Sequence, residues 1–483
     1  MKKANQIGFP TLGKSVGLRF NRPTYDALRQ DFAKDQVNEQ FAFGLFSQAK
    51  TADGTILIVN NIILADKHDL SEQSGGGVAP TKAFQATAYM IAQQKNLGIL
   101  DMHTHPFSKN PHFSSIDHAE SEKNARYICN TFPSPITHAM VVFNSTATTH
   151  DAAVYDRSIN SYRSIDYIEI LGRKIEINRT GEAETTCSGN DLRYSRQAMI
   201  PGWDQRTLSR LKIAVVGLGG NGAQIIETLV SIGVGSDGWI AAIDPDVIEA
   251  SNLPRIPYAF PENIGSPKST VATQYAGRKN PAVKFFPYPC SVTEKIVIDR
   301  IKGASVIISA PDGDGVRKVC NELAVRYRIP LIDLGCDIQT DDEKILAGGQ
   351  VRIVLPGDNA CLVCCGGYDP AVAALELMDD ARAAVHASQG YVVGHRDNPT
   401  PSISNLNAVT SQLGINALLG LVHGKNFGKW DYVHYDQLTA QTLTANTNPL
   451  DSCPLCSREG FIGTGDENDT QIKPSWNKMQ AVK

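Results

Sequence analysis

His103-Thr104-His105-Pro106, followed by Ser114-Ser115-Ile116-Asp117, is the first stretch of this sequence with the makings of a reactive centre. On a strand, side chains two residues apart point the same way, so both imidazoles aim at one ion. Asp117 supplies a third ligand from the start of a following helix, with Ser114 or Ser115 as its N-cap. Two imidazoles, a carboxylate and an open fourth position describe a catalytic Zn2+. Such an ion brings the pKa of a bound water to about 7 and polarises a carbonyl. The chemistry still needs a base, and Glu39, at the head of a strand-like segment upstream, is the candidate. His-x-His alone equally marks a polar strand end. The Ser-x-x-Asp downstream and the glutamate upstream turn the balance towards metal. His112 and His118 lie nearby and read as surface residues.

A second set begins at Gly217-Leu218-Gly219-Gly220-Asn221-Gly222, after the apolar run Lys212–Val216. Gly217, Gly219 and Gly222 allow a tight turn, backbone approach to phosphate, and close packing of helix on sheet. The helix that follows offers free N–H groups to an anion. Asp244 ends the next strand, at the distance where an acidic residue meets a ribose hydroxyl. A glycine pattern of this kind alone fits a nicotinamide dinucleotide. Here it is followed by Asp246, Asn252, Arg255, Lys268, Asp312 and Arg317. Carboxylates, an amide, guanidinium groups and an ammonium suit ATP with Mg2+, and hydride transfer has no need of them.

Cys361-x-x-Cys364 and Cys453-x-x-Cys456 form two knuckles far apart in sequence, and four thiolates so spaced suit a closed, structural Zn2+. Cys365 directly follows the first pair, and its replacing Cys364 as ligand stays open.

These residues need elements to hold them. Residues 17–156 read as one α/β unit, with strands at Phe41–Phe46, Thr55–Leu64, Ile99–His103 and Ala139–Phe143, and a helix at Thr81–Lys95. Gly75-Gly76-Gly77 reads as a loop. Residues 157–190 read as a linker, with Tyr167–Ile177 as a helix inside it. Residues 191–457 read as a second α/β unit of strands alternating with helices, hence a mostly parallel, doubly wound sheet. Residues 458–483 read as a flexible tail.

Glu39, the His-x-His-Pro and the Ser-x-x-Asp resemble the JAMM metalloprotease family, over roughly the first third of the chain. The resemblance implies Glu39 as general acid/base, His103, His105 and Asp117 as zinc ligands, and Ser114 as the group that steadies the oxyanion. Known members cut isopeptide or peptide bonds after the C-terminal glycine of ubiquitin-like proteins. From about Leu192 to Cys456 the chain resembles the ubiquitin-activating-type adenylyltransferases, the ThiF-, MoeB- and HesA-like enzymes. Arg193-Tyr194-Ser195-Arg196-Gln197 matches that group as well. The resemblance implies a Rossmann-like fold, with Asp244 on ribose, Asn252, Arg255 and Lys268 on the phosphates, and Asp312 on magnesium. It implies Arg196 reaching a phosphate, often from the other subunit of a homodimer. The implied reaction joins a C-terminal glycine carboxylate to AMP. Bacterial members of the group share the two cysteine pairs, and their operons also supply a conjugating enzyme and in some cases serve antiphage defence.

From Gly366 to Ser452 there is no cysteine, where thioester-forming members place one. Three fates for the adenylate stay open: a partner's thiol, Cys336 or Cys365, or a hydroxyl of Ser402 or Ser404. The first is preferred. The partner protein reads as a ubiquitin-like or a sulfur-carrier protein ending in glycine, and a non-catalytic scaffold that holds such a modifier is the remaining alternative.

The 483 residues, with 42% hydrophobic and 20% charged, describe globular units with sizeable cores. A net charge of −4 speaks against nucleic acid as the main partner. No run approaches the roughly 20 apolar residues that span a bilayer. Ten cysteines without a leader peptide read as a cytoplasmic chain that uses thiols for metal or catalysis.

Overall fold

The computed structural model describes residues 12–132, 137–181, 192–340, 344–378, 401–424, 429–457 and 459–466. The chain divides into two units, one formed by Met1–Ile170, Ile177–Thr186 and Gly463–Glu467, the other by the remainder.

The N-terminal unit runs β1 (Ser15–Asn21), α1 (Arg22–Phe32), β2 (Phe41–Lys50), β3 (Gly54–Leu64), β4 (Leu70–Ser74), β5 (Gly77–Pro80), α2 (Lys82–Lys95) and β6 (Gly98–His105). It continues with α3 (Ser115–Thr131), β7 (His138–Asn144), β8 (His150–Asp156), β9 (Ser161–Ser164), β10 (Tyr167–Leu171) and β11 (Glu176–Arg179). Nine strands form one sheet, ordered β11-β10-β1-β3-β2-β6-β7-β8-β9, and β4 and β5 form a separate hairpin. Alternation in β2 decides its placement. Phe41, Phe43 and Leu45 face a cluster with Phe84 and Ala88 of α2, while Ala42 and Phe46 face one with Tyr25, Leu28 and Phe32 of α1. Each such large side chain taken out of water contributes about 1.5–3 kcal/mol.

Two expectations fail here. Tyr167–Ile177 is not a helix, and strands occupy much of the stretch read as a linker. Glu169, within that stretch, is fully buried and pairs with the equally buried Arg19 of β1 at 2.6 Å. That partner stands 150 residues away, out of reach of local periodicity. The tail is likewise more structured than expected. Asp466 accepts from the Lys50 amide at 2.6 Å and donates from its own amide to the Gln48 carbonyl at 2.7 Å, so the segment packs along β2. Residues 182–191 and 467–483 lie outside the described residues.

The second unit runs α4 (Gln205–Arg210), β12 (Lys212–Val216), α5 (Gly220–Ser231), β13 (Trp239–Ile243), α6 (Lys268–Lys279), β14 (Phe285–Tyr288), α7 (Lys295–Ile301), β15 (Val306–Ser309) and α8 (Asp314–Tyr327). It ends with β16 (Leu331–Thr340), β17 (Ile345–Val354), α9 (Pro370–Glu376), α10 (Ser404–His423), β18 (Tyr432–Asp436) and β19 (Gln441–Ala445). The sheet order is β14-β13-β12-β15-β16-β17-β18-β19. Strands β14 to β16 pair in parallel, and β16 to β19 extend the sheet in antiparallel fashion. Strand order reverses between β12 and β15, and the crevice outside their carboxyl ends is where such sheets take ligands. Among the described residues no helix is long and apolar enough to cross a membrane.

Candidate functional site

The carboxyl end of β6 carries His103 and His105, with Thr104 between them turned to the other face. The Thr104 hydroxyl accepts from the Gln40 amide at 2.9 Å, and its own amide donates to the Gln40 carbonyl at 3.1 Å. These bonds fix the strand end against the segment that holds Glu39. Glu39 lies two residues ahead of β2, its amide donating to the Ser74 carbonyl at 2.8 Å and its carbonyl accepting from Gln73 at 3.0 Å. Asp117 is fixed by a capping box. The Ser114 hydroxyl accepts from the Asp117 amide at 3.1 Å, and the Asp117 carboxylate accepts from the Ser114 amide at 2.6 Å. Ser114, the N-cap, is therefore bound to the ligand helix through its lone pair, and its O–H stays on the exposed side.

The two imidazoles stand one edge of a coordination tetrahedron apart, with two carboxylates beside them. Two donors each 2.0–2.1 Å from a tetrahedral ion stand about 3.3 Å apart. Here His103 Nε2 is 3.3 Å from His105 Nε2, His103 Nε2 is 3.4 Å from Asp117 Oδ1, and His105 Nε2 is 3.5 Å from Asp117 Oδ2, so the carboxylate faces each imidazole with a different oxygen. Glu39 Oε1 is 3.8 Å from His105 Nε2, one step outside that triangle. One donor atom from each of Glu39, His103 and His105 falls within 4.8 Å of the others. Burial pushes the Glu39 carboxyl above its ordinary range, against the pull of both histidines. Burial would raise Asp117 too, but hydrogen bonds from His103 and His105 outweigh it and hold the carboxyl low. His112 is exposed and faces Asp151 at 3.4 Å, and His118 is exposed beside Phe113, both away from the triangle.

One support of this centre escaped the sequence reading. Asp101, two residues before His103, lies 2.9 Å from His138 Nε2. The other ring nitrogen of His138 is 2.5 Å from the Tyr162 hydroxyl, which donates to the Ser121 carbonyl of α3 at 2.9 Å. The chain of contacts stitches the ligand helix to β6, β7 and β9. No local pattern announces it.

In the second unit the glycine turn sits at the crevice. Gly217 has φ +87°, and a side chain there would meet the Ala310 carbonyl at 2.6 Å. A Cβ on Gly222 would strike the Gly217 carbonyl at 1.9 Å, whereas one on Gly219 meets nothing within 4 Å. The open side is thus at Gly219, the N-cap of α5, where backbone N–H groups attract an anion. Asp244 is buried beneath the turn, accepting from the Leu218 amide at 2.6 Å and from the Asp246 amide at 2.8 Å. Burial pushes its carboxyl up, opposed by the Lys268 charge. Lys268, at the start of α6, reaches Asp246 at 2.8 Å and Asp244 at 3.7 Å. Asn252 is buried with its carboxamide oxygen on the Glu249 amide at 3.2 Å, and Arg255 bonds the Ser251 carbonyl at 3.2 Å. Asp312 is exposed on the loop after β15, the loop that Gly217 abuts. Arg317 holds that loop. It donates to the Pro311 carbonyl at 3.1 Å and faces Asp314 at 3.5 Å and Asp333 at 3.4 Å. The turn, Asp244, Asp246 and Lys268 are therefore in direct contact, while Asn252 and Arg255 form a neighbouring group of their own. Arg196 is exposed, and its side chain bonds none of these residues in the same chain.

Residues 194–455 match the ThiF family. The chain is 30% identical over 277 residues to the sulfur carrier protein adenylyltransferase of Thermus thermophilus, covering 55% of this chain and 91% of that protein. It is 31% identical over 177 residues to the molybdopterin-synthase adenylyltransferase of Salmonella typhimurium, covering 36% and 67%. It is 28% identical over 246 residues to the adenylyltransferase and sulfurtransferase UBA4 of Yarrowia lipolytica, covering 50% of this chain but 58% of that relative. The chain belongs to the ThiF family. The crevice at the end of β12 and β15 is thus part of a ThiF-type adenylyltransferase domain.

The ThiF unit also gathers the two cysteine knuckles. Cys361 Sγ is 3.8 Å from Cys364 Sγ and 3.7 Å from Cys453 Sγ, and Cys364 Sγ is 3.5 Å from Cys456 Sγ. Sulfurs at 2.3 Å from a tetrahedral zinc stand about 3.8 Å apart, so the four fit the ion. The Cys361 thiol is held down to about 5, chiefly by the hydrogen bond from Cys456. Cys365 stands outside this set, its sulfur 3.9 Å from the Leu362 carbonyl. Cys336, at the head of α5, lies 3.3 Å from Asn221 and 3.2 Å from Thr410. Burial pushes its thiol up, which does not favour it as a nucleophile. Ser402 bonds Asn407 at 3.2 Å; Cys187 and residues 379–400 lie outside the described residues.

Proposed function

We propose that this chain is bifunctional. Its ThiF unit adenylylates the C-terminal glycine of a ubiquitin-like or sulfur-carrier protein with ATP. Its N-terminal unit is a JAMM-type zinc isopeptidase that cleaves after the same glycine. The observation that carries the pairing is the convergence of His103, His105, Asp117 and Glu39 at the end of β6, in one chain with a ThiF-family unit.

In the adenylylation, an oxygen of the glycine carboxylate attacks the α-phosphorus of ATP, the bond to the β-phosphate oxygen breaks, and pyrophosphate leaves. Backbone N–H groups at Gly219–Asn221 cradle phosphate. Asp244 keeps acceptor capacity for a ribose hydroxyl. Lys268 and Arg255 offset the charge that spreads onto the phosphates, Asn252 orients them, and Asp312 holds Mg2+. Arg196 comes from a second copy, in keeping with its exposure. The absence of cysteine from Gly366 to Ser452 favours passing the acyl group to a thiol on a conjugating enzyme.

In the hydrolysis, bound zinc supplies Lewis acidity and an acidified water. Glu39, raised by burial, takes the proton of the attacking water and delivers it to the leaving amine. Ser114 donates its exposed O–H to the oxygen of the scissile carbonyl. His103, His105 and Asp117 hold the ion.

The names of the Thermus and Salmonella relatives favour a second reading of the product, in which the adenylate goes on to a thiocarboxylate. Purified protein with a small ubiquitin-fold protein ending in Gly-Gly and radiolabelled pyrophosphate tests the adenylylation. Exchange into ATP that disappears in Asp312→Ala supports it, and equal exchange in both variants contradicts it. A C-terminally extended form of that protein tests the hydrolysis, with Glu39→Ala as the inactive control.

A further inference from the structure

Asn221 occupies the second position of α5, where Cβ leans back towards the helix N-terminus and thus towards the anion site. Its carboxamide oxygen is turned inward. Asn407 Nδ2 of α10 donates to it at 3.1 Å, and the Cys336 thiol lies 3.3 Å away. Asn407 is itself oriented by Ser402, whose hydroxyl donates to Asn407 Oδ1 at 3.2 Å. In this arrangement the Asn407 NH2 faces Asn221, whose Oδ1 lies on the inside. The backbone is held as well, since Ser411 donates to the Asn221 carbonyl at 3.0 Å. A Cβ on Gly220 would come within 2.4 Å of Asn407 Oδ1, so glycine there admits α10 to this close contact. The Asn221 Nδ2 group is left with no acceptor among the described residues.

We propose that Asn221 Nδ2 donates to one carboxyl oxygen of the substrate's terminal glycine, and that Cys336 and Asn407 are positioning residues that aim it. The assignment rests on the adenylylation reading above. A neutral amide suits this task. It orients one oxygen while leaving the other nucleophilic towards the α-phosphorus, where a lysine would quench both. When a thiol later attacks the adenylate, that carbonyl oxygen gains charge as the C–S bond forms and AMP leaves. The same donor then meets the growing charge.

ATP–pyrophosphate exchange with the Gly-Gly-ended ubiquitin-fold protein tests this, with melting curves run on every variant. Asn221→Asp and Asn221→Leu are expected to lower kcat on the order of 10²-fold with KM for ATP within about twofold of wild type. Cys336→Val is expected to show a smaller loss, which Cys336→Ser, keeping a hydroxyl donor, recovers. Should Asn221→Leu melt early, Asn221→Ser is read in the same way. Wild-type kcat in the Asn221 variants, or a loss carried wholly by KM for ATP, overturns the assignment. No exchange by the wild-type protein removes the adenylylation reading, and this assignment with it.

Discussion

The proposed metal centre of the N-terminal unit and the glycine turn of the ThiF unit prepare for their ligands in opposite ways. His103 Nε2 and His105 Nε2 already stand 3.3 Å apart, one tetrahedral edge, with the Asp117 carboxylate within 3.5 Å of each. A capping box and a strand end hold them there, so little has to move when an ion arrives. At the nucleotide turn the principal cation is engaged elsewhere. Lys268 is paired with Asp246 and Asp244, and in the proposed role it trades carboxylates for phosphates when ATP binds. A preset polyhedron gives affinity and fixed geometry. A charge-compensated pocket gives a site that stays satisfied until the right polyanion comes.

If this contrast is right, damage at one centre leaves the other working. The largest effect expected is at the polyhedron: His103→Ala abolishes zinc at that site and all tail cleavage, measured by metal analysis and gel assay, while pyrophosphate exchange stays at the wild-type rate. Lys268→Ala is expected to lower exchange by about 10²–10³-fold and to leave cleavage unchanged. Acid separates the units less sharply. Burial, opposed by Asp151, lowers His150 in β8 to about 4. Below its ordinary pKa the unfolded chain takes up a proton that the folded His150 refuses. Stability is therefore lost as pH falls from about 6.5 to about 4, by up to roughly 3 kcal/mol. Denaturant melts at pH 7 and pH 5 measure this, and His150→Gln is expected to flatten the difference. Burial lowers His423 in the ThiF unit too, so both units soften in acid. The smallest effect on stability is Ser114→Ala, which removes one half of the capping box and costs about 1 kcal/mol, while loss of the proposed oxyanion donor is expected to slow tail cleavage as well. Because the same cap sets Asp117, zinc affinity measured by competition with a chelator is expected to fall alongside.

What could be read in advance follows the same division. The convergence of His103, His105 and Asp117 is legible because each signal is local: period two on β6, and a cap three residues from the carboxylate. The glycine turn is legible because Gly217 and Gly222 are required by contacts that the turn itself makes with nearby backbone. Strands β10 and β11 were not legible. Glu169 in β10 pairs with Arg19 of β1, and tertiary pairing of this kind overrode the local pattern. The Asp101–His138–Tyr162 support and the Asn221–Asn407 contact were hidden for the same reason, the latter spanning 186 residues.

The most direct test of two centres serving one peptide end is pyrophosphate exchange with the ubiquitin-fold protein in two forms, one ending in Gly-Gly and one extended beyond it. Wild type is expected to exchange with both, the extended form after a lag while its tail is cut. Glu39→Gln is expected to exchange with the trimmed form alone. Equal exchange by Glu39→Gln with both forms, or a wild-type protein that never accepts the extended form, contradicts a shared substrate.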